Sequence, residues 1–92
     1  MHKFSIKDWA VDDQPRQKLL NKGADTLSDS ELLAILINNG TSDHTALDIA
    51  KNLLQTVENS LHRLAGMSVK EMVNLKIKGL GEAKAIALTA AL

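Results

Sequence analysis

Residues 76–92, KIKGLGEAKAIALTAAL, decide how the carboxy-terminal part of this chain folds. Gly79 and Gly81 stand on either side of Leu80, between two stretches of helical composition. Glycine costs a helix roughly 1 kcal/mol relative to alanine, so two glycines this close together end one helix before the next begins. The stretch therefore predicts two helices joined by a sharp turn, and it raises the question of what the turn does.

The composition of the 92-residue chain favours one all-α domain. Phe4 and Trp9 are its aromatic residues, so Leu, Ile, Val and Ala must form the core, which favours packed helices over a sheet. Cysteine is absent, which excludes disulfides and thiolate sites. No apolar run has the length of a signal peptide or a membrane span. We expect a cytoplasmic protein with no membrane partner.

The net charge is zero, which by itself does not indicate a nucleic-acid partner. Its distribution is slightly uneven: residues 68–92 carry four lysines and two glutamates, whereas residues 1–67 carry seven basic and nine acidic side chains. The excess of positive charge lies where the paired glycines are.

The amino-terminal part begins with an arm and a short helix. Residues 1–14 show no clear periodicity and are predicted to be extended, with Phe4, Ile6 and Trp9 packed onto the helices. Pro15 fits the first position of a helix over 15–22, and Gly23 fits a left-handed C-terminal cap.

Two capping boxes mark later helix starts. Ser28 is followed by Glu31, and Ser68 by Glu71, the spacing at which each side chain bonds the other residue's backbone N–H. The first box predicts a helix over 29–37.

A further helix is predicted after each of these two. The helix that follows 29–37 has apolar residues at a helical spacing; they are Ala46, Leu47, Ile49, Ala50, Leu53, Leu54 and Val57. The chain then breaks near Asn59, and SLHRLAG predicts one or two turns closed by Gly66. The last helix begins near Glu82 and has no stop signal, which predicts a fragment of a longer protein.

The two capping boxes lie forty residues apart, which favours an internal duplication. On that offset Leu32, Leu33, Ile35 and Ile37 fall on Met72, Val73, Leu75 and Ile77. We therefore predict a small bundle of two helix–turn–helix units, with segments 29–55 and 69–92 related by an approximate two-fold axis. In domain terms these are a degenerate first unit over 15–57 and a second unit over 60–92. The alternative is two unrelated amphipathic hairpins.

The paired glycines predict a phosphate site. With positive φ at both glycines the chain can reverse while Leu80 points inward, and the N–H groups of residues 79–84 would face outward at a helix start, a favourable place for an anion. Lys78 and Lys84 would add charge. Ile77, Leu80, Ile86 and Ala87 are predicted core residues, and Ala83 allows close approach. The alternative is a tight connection with no ligand.

The segment LKIKGLGEAKAIAL resembles the helix-hairpin-helix motif, whose residues here are Ile77, Gly79, Leu80, Gly81, Lys84 and Ala85. Such motifs contact DNA phosphates without reading sequence. The whole chain, through FSIKDW and QPRQKLLNKGADTLSDSELLAILINNGT, is similar to the amino-terminal region of RadC-like proteins, a family traditionally associated with DNA repair. The resemblance implies a tandem helix-hairpin-helix (SAM-like) fold. It also implies a carboxy-terminal JAB/MPN domain, resembling zinc metalloproteases, whose ligands have no counterpart here.

No residue pattern in the chain indicates catalysis or a metal. His2, His44 and His62 lack partners at ligand spacing. Asp12 and Asp13 fit helix-start charges. Ser28 and Ser68 are explained by capping, with no base placed to activate them. We expect no catalytic residue, metal or cofactor in this fragment; zinc is implied only for the carboxy-terminal domain, and enzymatic activity of the full-length protein stays open.

Two function classes remain. One is a DNA-binding module that contacts the phosphate backbone without sequence specificity. The other is a protein-interaction or self-association module that docks the carboxy-terminal domain or a partner. The neutral charge and the scarcity of aromatic residues favour the second class and disfavour base stacking on single strands.

Overall fold

The computed structural model describes residues 14–92, which form a bundle of six α-helices. The helices are α1 (Pro15–Lys22), α2 (Asp29–Ile37), α3 (Ala46–Thr56), α4 (Leu61–Ala65), α5 (Val69–Asn74) and α6 (Glu82–Ala91), and a 3-10 helix spans Ala24–Thr26. No strand occurs in this described range. The predicted all-α class is confirmed. The observed bounds of α1 and α2 are those predicted from the sequence, 15–22 and 29–37. The predicted arm and its contacts lie on residues 1–13, outside the described part.

None of the helices between residues 14 and 92 combines the length and apolarity that crossing a bilayer requires.

Both predicted capping boxes are present. The Glu31 N–H donates to the Ser28 hydroxyl at 3.2 Å, and the Ser28 N–H donates to the Glu31 carboxylate at 3.1 Å. The same two bonds join Ser68 and Glu71, at 3.1 and 3.0 Å. Each box satisfies two backbone groups that a helix start leaves without partners.

A third capping box, at the start of α3, was not predicted. The Asp48 N–H donates to the Thr45 hydroxyl at 3.1 Å and the Thr45 N–H to the Asp48 carboxylate at 3.0 Å. Aspartate reaches less far than glutamate, so the Thr-x-x-Asp pattern is a weaker signal.

Gly23 ends α1 in a conformation other than the one predicted. Its φ of 86° is positive, but its ψ of 167° is extended rather than left-handed helical. The Gly23 N–H still donates to the Leu19 carbonyl at 3.1 Å. Gly23 therefore closes the last turn of α1 with this bond, while its extended ψ directs the chain away from the helix axis.

One hydrophobic core is shared by the two predicted units. Helix α2 packs against α3 and α6, α5 packs against α6, and α1 packs against α2. The largest fully buried side chains come from five different helices; they are Leu33, Ile49, Leu53, Leu64, Met72 and Leu88. Because α6 closes the core of both units, neither unit is an independent domain within residues 14–92.

Two of the predicted core residues of α6 are not in the core. Ile86 is 49% exposed and Ala87 is exposed, whereas Ala85 and Leu88 are fully buried. Leu80 is buried and Ile77 packs against the core, as predicted. Helix α6 is apolar around most of its circumference, so spacing alone could not identify the buried face.

The proposed duplication agrees in its capping boxes but not in its burial. Met72 is fully buried, while Leu32, its counterpart at an offset of forty residues, is half-buried. Leu33 is buried and its counterpart Val73 is half-buried. Helix α5 has six residues against nine in α2, since it ends just before Lys76, whose φ is 56°. The two-fold relation of the hairpins stays a prediction.

Candidate functional site

Gly79 occupies the third position of a β-turn that reverses the chain after α5. The Leu80 N–H donates to the Ile77 carbonyl at 3.0 Å, which closes the turn. Gly79 has a φ of 87°, a value that type II turns require at this position and that glycine adopts without strain. Leu80 then points into the core, where it is 6% exposed.

Gly79 also packs tightly against the first unit. A Cβ at this position would lie 2.6 Å from Ile49 Cδ1 and 3.2 Å from Thr41 Cγ2. The turn therefore touches both α3 and the loop between α2 and α3, residues 38–45, which we call the first turn. Both reasons for glycine at position 79 are structural.

Gly81 differs from Gly79 in both respects. Its φ of −90° and ψ of −173° are extended, so the expected positive φ at this glycine is wrong. A Cβ added here would meet no atom within 4 Å. Neither backbone conformation nor packing within residues 14–92 requires glycine at position 81.

Gly81 is the N-cap residue of α6 and supplies no side-chain cap. The first backbone bond of α6 is donated by the Ala85 N–H to the Gly81 carbonyl, at 3.0 Å. The N–H groups of Glu82, Ala83 and Lys84 precede this first donor and therefore have no intrahelical acceptor. The Leu80 N–H is used by the β-turn, so it drops out of the predicted donor set of residues 79–84. We take the N–H groups at the start of α6, from Gly81 onward, as the candidate donors.

The two predicted cations lie in different surroundings. Lys78 is exposed in the β-turn. Lys84 is half-buried, and its Nζ donates to the backbone carbonyl of Asn39 in the first turn. Glu82 is exposed at the first residue of α6, so its carboxylate offsets part of the positive charge of Lys78 and Lys84.

The first turn contains residues that the sequence did not single out. Asn38 has φ 70° and ψ −69°, and the Asn39 N–H donates to the Ile37 carbonyl at 2.9 Å. These values define a strained γ-turn. Arg16 Nη2 of α1 donates to the Asn38 Oδ1 atom. The Asn-Asn-Gly sequence signals a tight turn, but no local signal could pair Arg16 with a residue 22 positions away.

Two carboxylates have lowered pKa values, both in capping boxes away from this turn. Burial tends to raise the pKa of Glu31, but hydrogen bonds from Ser28 and Lys18 and the Lys18 charge outweigh it and lower the pKa. Hydrogen bonds from the Ser68 backbone and side chain lower the pKa of Glu71. These shifts report helix capping rather than an acid–base pair.

No three histidine or acidic side chains come together as metal ligands among the residues that the structure describes.

Comparison with known proteins identifies relatives over nearly the whole chain. A family model described as UPF0758 N-terminal matches residues 6–86. UPF0758 proteins of Flavobacterium johnsoniae and Porphyromonas gingivalis are 47% and 41% identical to the chain, each over 97% of its length. The matched regions cover 38% and 39% of those relatives, so the chain spans less than half of their length. No solved structure matches it.

Proposed function

This chain belongs to the UPF0758 N-terminal family, the RadC-like family that its sequence resembles, and on that premise we propose that it is a DNA-binding module. It contacts the phosphate backbone without sequence specificity, through the start of α6. The Gly81, Glu82, Ala83 and Lys84 N–H groups are the proposed donors, and Lys78 and Lys84 supply charge.

The surroundings of Gly81 carry this proposal. This glycine has open space where a side chain would be, an extended backbone, and uncapped N–H groups immediately after it. By contrast α2, α3 and α5 begin with capping boxes that use their own side chains. A position without a Cβ lets a phosphate approach the backbone, and the positive end of the helix dipole attracts it.

The neutral chain sets the expected strength of binding. With a net charge of zero there is no long-range steering of DNA. One turn offers about two to four phosphate contacts, so we expect non-specific affinity near the weak end of roughly 10⁻⁴ to 10⁻⁶ M. The slope of log K against log salt concentration should be about −2 to −4.

The experiment is a titration of the 92-residue chain with duplex and single-stranded DNA at two salt concentrations. Matched binding of unrelated duplex sequences with the expected slope supports the proposal. A wild-type chain that binds no duplex at about 50 mM salt and high micromolar protein contradicts it, because backbone contacts are strongest at low salt.

The exposed side of α6 favours a second candidate function. Ala83, Ile86, Ala87 and Ala90 are all exposed and follow the i, i+3, i+4, i+7 spacing of one helix face. A protein-interaction or self-association role would use this face, which we call the outer face of α6. Light scattering of the chain and of an Ile86→Glu variant tests it, since self-association through this face should disappear in the variant.

The remaining proposals concern the full-length protein. We place any catalytic chemistry, any zinc and the JAB/MPN domain outside this chain, and we propose a role in DNA repair and a cytoplasmic location. Nuclease, peptidase and metal assays on the purified fragment test the first of these, since activity or stoichiometric zinc in the tag-free chain would contradict it.

A further inference from the structure

We infer that Arg16 forms a second phosphate contact, which extends the proposed site across the first turn and makes its ligand a continuous nucleic-acid strand. This inference rests on the proposed function. It adds a residue from α1 to the glycine turn, by which we mean residues 77–81, and to the neighbouring Lys78 and Lys84.

Arg16 and Lys84 are bound to neighbouring residues of the first turn. The Arg16 guanidinium donates to the side chain of Asn38, and the Lys84 ammonium donates to the backbone carbonyl of Asn39. Consecutive Cα atoms are about 3.8 Å apart, so the two cations flank one short piece of backbone. They come from helices far apart in the sequence, and only the tertiary fold brings them to one surface.

Both cations keep donors for a ligand. A guanidinium has five N–H donors and an ammonium three, and each uses one in the bond described above. Arg16 is exposed, so its remaining donors can reach a phosphate. Guanidinium groups suit phosphate because two N–H groups can bind one anion in parallel.

A groove beside Arg16 provides space for the ligand. It has a volume of about 390 Å³ and lies between the start of α1 and the first turn. Its lining includes Arg16 and the polar residues Asn38, Asn39 and Thr41, and no aspartate or glutamate among residues 14–92 lines it. Within this described range the groove offers a cation and no acidic side chain, which favours an anion.

The groove lies next to the glycine turn. Thr41 lines the groove and is also one of the residues nearest to Gly79, and Lys84 connects the start of α6 to Asn39. A nucleic-acid strand carries a charge at every nucleotide, so it can present one phosphate to Arg16 and another to the start of α6.

The strained backbone of Asn38 supports a fixed position for Arg16. A positive φ outside glycine is strained and persists where the surroundings enforce it. Here the Arg16 bond holds the Asn38 side chain, so the turn and the guanidinium fix each other's position.

The test compares Arg16→Gln, Arg16→Lys and the control Arg63→Gln in duplex titrations of the 92-residue chain at several salt concentrations. Arg63 is exposed on α4 and faces Glu58 at 3.5 Å, so it controls for loss of an arginine elsewhere. We expect Arg16→Gln to weaken binding roughly tenfold at 50 mM salt and to bring the salt slope about one unit closer to zero. Arg16→Lys should keep the slope, since it keeps the charge, and Arg63→Gln should change neither quantity appreciably.

The outcomes separate this inference from the proposed function. If the wild type binds and Lys84→Ala weakens it while Arg16→Gln leaves affinity and slope unchanged, the second contact is wrong and the glycine turn alone binds. If Arg16→Gln and Arg16→Lys both lower the melting temperature without moving the slope, Arg16 only holds Asn38, and the inference is again overturned. If the wild type binds no DNA, both proposals fail.

Amide chemical shifts give a residue-level check. Titrating labelled wild-type protein with duplex DNA should shift the amides of residues 38–41 together with those of residues 81–84, and inorganic phosphate should not compete at equal phosphate concentration. Shifts confined to residues 79–84, or full competition by phosphate, would contradict a site that spans the first turn.

Discussion

Gly79 lies against Ile49 so closely that a Cβ on the glycine would come within 2.6 Å of the isoleucine Cδ1 atom. Ile49 is fully buried in α3, so the contact joins the glycine turn of the second unit to the core of the first. The motif glycine that reverses the chain therefore also sets how the two units pack.

The two glycines should respond differently to alanine. Gly79→Ala places a Cβ at positive φ and against Ile49, and should cost at least about 1 kcal/mol of stability, with more from the overlap. Gly81→Ala should change stability by no more than about 0.5 kcal/mol, since its backbone is extended and the space is open. Urea denaturation measures both, and equal losses would contradict the distinction.

Gly81→Ala should nevertheless weaken duplex binding, because its methyl group would stand where the phosphate approaches the backbone. Since the variant should fold normally, its affinity can be compared directly with that of the wild type. Unchanged affinity in a folded variant would count against the start of α6 as the binding site.

Lys84→Ala should weaken all duplex sequences alike and bring the salt slope about one unit closer to zero, as loss of a phosphate contact does. Because Lys84 also bonds the Asn39 carbonyl, thermal melting must accompany the titration. Lys51→Ala, at an exposed position on α3, is the control. A sequence-dependent loss would indicate base contacts instead.

Helices α2, α3 and α5 each depend on a cap side chain, and removal of any one of the three should destabilise the domain. Ser28→Ala, Thr45→Ala and Ser68→Ala should each cost about 1 kcal/mol, since each deletes the acceptor of an N3 backbone N–H. Ser42→Ala, at an exposed position in the first turn, should be close to neutral. A Thr45→Ala variant as stable as the wild type would show that the third box does not contribute.

Stability should fall in acid, partly through Glu31. Its pKa is lower in the folded state, so its contribution is present above the ordinary glutamate value of about 4.3 and is lost as pH falls through the folded value. Glu31→Gln should therefore destabilise the chain at neutral pH and much less near about pH 3. Glu58→Gln, exposed in the turn after α3, is the control. A Glu31→Gln effect that is the same at both pH values would rule out this linkage.

Substitutions on α6 should distinguish its two faces. Leu88→Ala removes a fully buried side chain and should cost about 2–5 kcal/mol. Ile86→Ala, on the outer face, should cost well under about half of that, since Ile86 is 49% exposed. Comparable losses would show that the outer face is covered in solution.

Local signals in the sequence predicted most of the helix boundaries. Pro15, Ser28 and Ser68 each act on backbone groups within a few residues, so their effect on helix starts can be read without the fold. The same holds for the glycine turn and for Leu80, whose inward position follows from the chain reversal. Composition alone indicated the all-α class, because few aromatic side chains leave an aliphatic core.

The tertiary structure decided which faces and which residues meet. Helix α6 is apolar on nearly every side, so only its neighbours determine that Leu88 is buried and Ile86 is not. The contacts of Gly79 with Ile49 and of Arg16 with Asn38 join residues 30 and 22 positions apart. Such pairs have no periodic or capping signature, because they depend on how the helices pack rather than on the preferences of any one segment.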